Sequence, residues 1–246
     1  MKTTVDKETL NQIASQYHLN AAISDKEFDQ NFHKLCFEWV SSWLKLGSRV
    51  LEMGYGEGNV TRQLLAAGMK VEIIEGAGLL VNSAREAFGG SVRVHHGLFG
   101  DFRPAFAYDV ILATNILEHV ADPTDTLACI RNWCGPDTKV VVTVPNAGSI
   151  HRRLAVLMGI QPTLETLSPR DHLVGHMRVY NFDQLHQEVS NAGFEIVEQK
   201  GFLLKVLPNS MMKGMSQEII QALYAISDQL DISTLADIGV VLKKKA

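Results

Sequence analysis

The residues with the clearest chemistry form a glycine turn, Glu52-Met53-Gly54-Tyr55-Gly56-Glu57-Gly58. An apolar strand leads into it and a helical stretch leaves it. Glycine admits left-handed backbone and removes the Cβ that would hold a ligand off the chain. At the C-terminal end of a strand in an open α/β sheet, such a turn is where ligands bind. The spacing narrows the ligand. Dinucleotide turns place the third glycine five residues after the first and set a pyrophosphate on the helix N-terminus. Here it comes four after the first, and Glu52 stands two residues ahead of it. A carboxylate is unfavourable beside a pyrophosphate and favourable beside an ammonium or sulfonium. The next strand ends at Glu75, seventeen residues beyond Gly58, where a carboxylate can accept both hydroxyls of a ribose. The ligand class is an adenosine with a cationic tail and no phosphates, as in S-adenosylmethionine. The plainer alternative is a tight strand-to-helix connection with a capping acid.

A second set of candidates is polar and rich in histidine. His119 lies in Leu117-Glu118-His119-Val120, just after an apolar strand, and Asn115 precedes it at the strand end. His172 and His176 sit in Asp171-His172-Leu173-Val174-Gly175-His176-Met177-Arg178-Val179-Tyr180. Histidine suits proton transfer near neutral pH, so His119, His172 and His176 compete for the role of general base, each with a structural reading beside it. Arg152, Arg178 and Tyr180 are candidates for holding a substrate, Arg152 within His151-Arg152-Arg153, because guanidinium binds anionic groups in pairs. Glu118 with His119, His172 and His176 has donors that suit divalent ions. Nothing in their spacing demands one, and the expectation is no metal.

These residues need a frame, and the chain supplies an alternating one. Strands are expected at Arg49–Met53, Lys70–Glu75, Val92–His96, Tyr108–Thr114, Lys139–Val144, Phe194–Lys200 and Ile238–Leu242. Helices are expected at Asn59–Ala67, Leu79–Phe88, from Pro123 to a stop at Gly135-Pro136, at His151–Met158, from Asn181 to Ala192, and at Gln217–Leu230. Continuous Val/Ile/Leu runs indicate strands covered on both faces, hence a mostly parallel sheet. Residues 1–48 read as an N-terminal helical cap and 49–246 as the main domain. The stretch at about 146–180 is too long and irregular for a plain connection and reads as a mobile lid over the substrate. Lys243-Lys244-Lys245 reads as a solubilising tail.

The 246 residues include 46% hydrophobic and 20% charged side chains, enough apolar material for a core of ordinary size. Lys+Arg 23 against Asp+Glu 27 gives −4, which argues against a nucleic-acid partner. No apolar run reaches membrane-spanning length, the first eight residues lack a secretory apolar core, and three cysteines make no metal-spaced set. A cytoplasmic location is expected, with no membrane partner and with a homodimer allowed for.

Residues 49–145 resemble the class I S-adenosylmethionine-dependent methyltransferases, nearest to the ubiquinone-biosynthesis O-methyltransferase group. The resemblance is carried by the glycine turn, Glu75, Tyr108-Asp109-Val110-Ile111, Leu117-Glu118-His119-Val120 with Asp122-Pro123, Val144-Pro145-Asn146 and Ala192-Gly193-Phe194. It implies a Rossmann-like seven-stranded, mostly parallel sheet with helices on both faces, an antiparallel C-terminal edge strand and a helical cap. It implies S-adenosyl-L-methionine as cofactor, held by Glu52, Gly54, Tyr55, Gly56, Gly58, Glu75, Gly76 and Asn115. Family members often carry Gly-Asp where Gly97-Leu98-Phe99-Gly100-Asp101 stands, so Leu98 and Phe99 would flank the adenine instead. The implied reaction moves a methyl group to an oxygen or nitrogen of a small-molecule acceptor. An RNA methyltransferase, a nucleotide-dependent oxidoreductase and a non-catalytic cofactor-binding protein are the alternatives.

Overall fold

The computed structural model describes residues 5–23, 26–212 and 214–245; Met1–Thr4, part of the N-terminal stretch read above, lie outside them. Seven strands form one sheet: β1 (Arg49–Met53), β2 (Lys70–Glu75), β3 (Arg93–His96), β4 (Tyr108–Thr114), β5 (Cys134–Pro145), β6 (Phe194–Phe202) and β7 (Asp237–Lys244). Their order is β3-β2-β1-β4-β5-β7-β6. The first five pair in parallel, and β7 is antiparallel to both β5 and β6. The antiparallel strand therefore slots between β5 and the edge strand β6.

The continuous apolar strands serve two cores at once. Leu51, Met53, Ile111, Ala113, Val140 and Val142 face one core, while Val50, Val110, Leu112 and Val141 face the other. On the first face pack α5 (Pro123–Trp133) and α8 (Phe182–Asn191), through Leu127, Ile130, Leu185 and Val189. On the second pack α2 (Lys26–Ser41), α3 (Asn59–Ala66) and α4 (Gly78–Phe88), through Trp39, Val40, Leu64 and Leu80. Period-two alternation thus reads as an unbroken apolar run because both sides are covered.

Several boundaries differ from expectation. Gly135-Pro136 do not stop a helix but lie inside β5, which begins at Cys134 opposite Tyr108. The Thr138 hydroxyl donates to the Tyr108 carbonyl and accepts from Gly135 N, tying the irregular opening of the strand to β4. Lys243 and Lys244 belong to β7, where Lys243 pairs with Glu195 at 2.7 Å, so two of the three lysines are strand rather than tail. Of the N-terminal residues, α2 is a layer of the core and not a cap. α1 (Lys7–Ile13) and the π-helical turn Ala14–His18 reach the ends of β2 and β1, Leu10 beside Gly76 and His18 beside Gly56. The 146–180 stretch contains α6 (Ile150–Leu157) and α7 (Pro169–Val174). No helix among the described residues is long and apolar enough to cross a membrane.

Candidate active site

The C-terminal ends of β1 and β2 build one half of the site. Gly54, Gly56 and Gly58 all take left-handed backbone, with φ of 76°, 55° and 72°. A Cβ on Gly58 would lie 2.6 Å from the Tyr55 ring, so only glycine fits there. Glu75 is buried and its two oxygens are separately oriented: Oε2 accepts from Tyr55 N at 2.8 Å and Oε1 from Ala77 N at 2.7 Å. Burial raises its carboxyl above the usual range, opposed by those backbone donors and Gly76 N. Glu52, also buried, accepts from the Thr61 hydroxyl at 2.6 Å. Burial pushes it up to about 8, the Thr61 hydroxyl opposing and the nearby Glu75 adding to the rise. Leu10 of α1 reaches over Gly76, where an added Cβ would sit 2.5 Å from its Cδ1 and 3.4 Å from Leu98.

The other half is built after β4. Asn115 takes left-handed backbone (φ 53°) although it is not glycine. Its N–H donates to the Thr143 carbonyl at 2.9 Å, and the Thr143 hydroxyl donates to its Oδ1 at 3.2 Å. Strain held by that many contacts is characteristic of functional positions. The turn then carries Glu118 into the interior with no exposed surface and neither carboxylate oxygen in a well-formed hydrogen bond. Burial pushes Glu118 up to about 7, against the influence of His176, of its own backbone N–H and the Asn115 side chain close by, and of Arg178. A carboxylate so incompletely satisfied in the interior is costly.

Two imidazoles lie beside this carboxylate. Donor atoms of Glu118, His119 and His176 all lie within 4.8 Å of one another, and the His119 and His176 rings are 4.7 Å apart. Such a set has the donor types for a divalent ion. Burial, with His176 and His18 adding, holds His119 well below the usual histidine range, so it is neutral near pH 7. His176 arrives on the segment after α7, pinned by Met177 N donating to the Glu118 carbonyl at 2.8 Å. Arg178 completes the pin through the carbonyls of Leu117, Val120 and Ala121.

The sequence of residues 25–199 matches the family described as a methyltransferase domain. The chain belongs to that family. It is 25% identical to the ubiquinone biosynthesis O-methyltransferase of Aromatoleum aromaticum over 207 residues, 82% of this chain and 82% of the relative. It is 26% identical to the Xanthomonas euvesicatoria protein of the same name, over 77% of this chain and 80% of that one. Among solved structures, the methyltransferase bound to the Haloferax volcanii Trm112 methyltransferase activator superposes with a TM-score of 0.65 at 15% identity, covering 96% of this chain and 99% of that one. The Burkholderia thailandensis 1,6-didemethyltoxoflavin-N1-methyltransferase, solved with 1,6-didemethyltoxoflavin and S-adenosylhomocysteine, gives 0.61 at 15%, covering 95% and 85%. At that identity the likeness is one of fold.

The protein is an S-adenosylmethionine-dependent methyltransferase, and the oxidoreductase alternative ends there. The site fits the cofactor: the three left-handed glycines open the backbone beside β1, and Glu75 is fixed with lone pairs remaining on both oxygens. The methyltransferase's expected residues are not all placed alike. The Tyr55 side chain turns under the turn, against Phe88, leaving its backbone at the site. Leu98 stands beside Gly76, while Phe99 packs against the core. His172 is exposed on α7, apart from His119 and His176, because Gly175 (φ 84°) ends that helix before His176. Arg152 is engaged by the carbonyls of Leu164 and Thr166 and by Asp171, Arg178 by the turn after β4, and Tyr180 donates to Glu188. All three side chains hold the 146–180 stretch in place rather than facing an open cavity. Sequence reading missed Leu10, and it treated Glu118 only as a metal donor. A lone acid after the apolar Ile116-Leu117 was the available signal for Glu118.

Proposed function

We propose that this methyltransferase methylates a hydroxyl oxygen, or an amine that arrives neutral, on a small-molecule acceptor held against Glu118, His119 and His176. The observation that carries this reading is the buried Glu118 carboxylate, incompletely satisfied within the chain, grouped with two imidazoles in the turn after β4. The names of the relatives include an O- and an N-methyltransferase, and the net charge of −4 suits a small molecule better than RNA. When bound, S-adenosylmethionine supplies a methyl group already activated on a sulfonium. Glu52 offers a carboxylate to its ammonium and Glu75 to its ribose. Glu118 accepts a hydrogen bond from the acceptor and holds it in line, which is where most of the rate would come from. His176 takes the hydroxyl proton as the oxygen–carbon bond forms and the carbon–sulfur bond breaks. The cover over the reaction is Lys7–His18 together with residues 146–180.

The test is a mass-spectrometric screen of hydroxylated and amine metabolites, with total RNA alongside, for gain of one methyl group. A small-molecule product is expected, and methyl gain by RNA alone overturns the reading. His176→Ala should lower turnover by roughly 10²- to 10⁴-fold with cofactor affinity nearly unchanged. Turnover within a few-fold of the parent removes His176 as the base.

A further inference from the structure

A base must present a lone pair, and an imidazole offers one on either nitrogen unless something selects. We propose that Asp171 is the positioning residue that fixes His176 with its hydrogen on Nδ1, so that Nε2, the nitrogen Asp171 does not hold, is left as the acceptor beside Glu118 and His119. The inference rests on the reading of His176 as the group that takes the acceptor's proton.

Asp171 Oδ1 lies 2.9 Å from His176 Nδ1. An ionised carboxylate only accepts, so the hydrogen between them belongs to Nδ1. Asp171 cannot swing away, because its other oxygen is fully engaged. Oδ2 accepts from Arg152 Nη2 at 2.8 Å, from Ser168 N at 2.7 Å and from the Ser168 hydroxyl at 2.7 Å. Burial works against its charge, but His176, Arg152 and Ser168 outweigh it and hold the carboxyl well below the usual range. Both ends of the pair are enclosed, with side-chain exposure of 13% for His176 and 10% for Asp171.

Local sequence explains how the clamp is made. Ser168-Pro169-Arg170-Asp171 opens α7 as a capping box, Ser168 being the N-cap and Asp171 the third helical residue. That motif points the carboxylate back toward Ser168. α7 then closes after one and a half turns at the left-handed Gly175, and His176 N donates to the Asp171 carbonyl at 2.8 Å. The reversal brings the imidazole five residues later onto the free carboxylate oxygen. Arg152 from α6 supplies the neutralising charge. A helix cap thereby becomes the support of an imidazole, and Arg152 serves the chemistry without touching the acceptor.

The experiment reads the tautomer directly. Full-length protein labelled with ¹⁵N-histidine, treated with chelator and saturated with S-adenosylhomocysteine, is compared with Asp171→Asn and Asp171→Glu by long-range ¹H–¹⁵N correlation. The parent should show neutral His176 with hydrogen on Nδ1; hydrogen on Nε2 overturns the proposal without any variant. Asp171→Asn should populate the Nε2–H form and lower turnover on the screened acceptor at least tenfold with KM for the cofactor unchanged, and Asp171→Glu should restore part of both. An Asn variant that keeps the Nδ1–H tautomer and parental turnover also overturns it. A parental His176→Ala turnover would instead remove the base reading, leaving the tautomer result to stand for the positioning alone.

Discussion

Glu75 shows how a single side chain is prepared for a ligand before it arrives. Two backbone N–H groups hold its carboxylate, one per oxygen, so the cost of ordering it is met on folding and not on binding. Removing it should weaken S-adenosylhomocysteine binding by on the order of 1.5–3 kcal/mol, as for a lost hydrogen bond to a charged group. Calorimetry on Glu75→Ala and Glu75→Gln checks this. Unchanged affinity in both would take Glu75 out of the site, while a loss confined to the alanine variant would assign it to shaping the Tyr55–Ala77 backbone.

At the scale of elements, two covers close the strand ends by different means. The 146–180 stretch is tied by directional bonds: Arg152 and Arg178 hold it to itself and to the turn after β4, and Ala147 N donates to the Tyr180 carbonyl at 2.7 Å. The α1 arm combines packing, with Leu10 over Gly76 and Ile13 over Gly175, with a few side-chain bonds: Asn11 Oδ1 accepts from Leu79 N at 3.0 Å, the Tyr17 hydroxyl from Arg170 at 2.8 Å, and the His18 carbonyl from Lys26 of α2 at 2.8 Å. Sequence reading makes 146–180 the mobile lid; we expect the arm, tied to the rest by fewer bonds, to move faster. Hydrogen exchange should find the amides of Lys7–His18 open in the free protein and those of Met177 and Tyr180 protected. Arg178→Ala, which frees three carbonyl partners, should cost about 1.5–3 kcal/mol of stability and raise exchange at 175–180. Slow exchange throughout α1 in the free protein would reverse the assignment.

Across the whole molecule, buried titratable groups set how stability responds to pH. Glu52 and Glu118 have folded values pushed up to about 8 and about 7. Their contribution is full below about pH 4.5 and lost as pH rises through those values. His151 is driven down to about 2, first by burial and then by Lys205 and Arg152, and His119 is lowered too. Their contribution is present above about pH 6.5 and lost below it. The trends oppose each other between about pH 4.5 and 6.5, and only the carboxyls act above that. Stability of the ligand-free protein should therefore fall from about pH 6.5 to 8, by on the order of one kcal/mol per pH unit for each carboxyl still titrating. Urea titrations at several pH values measure this, and Glu52→Gln should flatten the upper part of the decline. A flat profile in the parent would mean that water reaches these carboxyls.

The sequence by itself determined the sheet and pointed to the residues of the cofactor half. Strand positions and their mostly parallel pairing follow from continuous apolar runs alternating with helices, and Gly54, Gly56, Gly58 and Glu75 lie at local spacings that favour an adenosine with a cationic tail over a dinucleotide. These are short-range facts, set by backbone conformation and strand ends. Local turn chemistry also made Ser168–Asp171 a cap, though not what it would face. The acceptor half was decided by tertiary structure alone. Glu118 and His176 are 58 positions apart and meet because Arg178 and Met177 anchor one segment on the other. His172 and His176 look equivalent in sequence, yet a left-handed glycine sends one to solvent and the other to Glu118 and His119. Arg152 looks like an anion receptor until packing encloses it with Asp171. Long-range hydrogen bonds and burial choose among side chains of identical chemistry, and no local pattern encodes that choice.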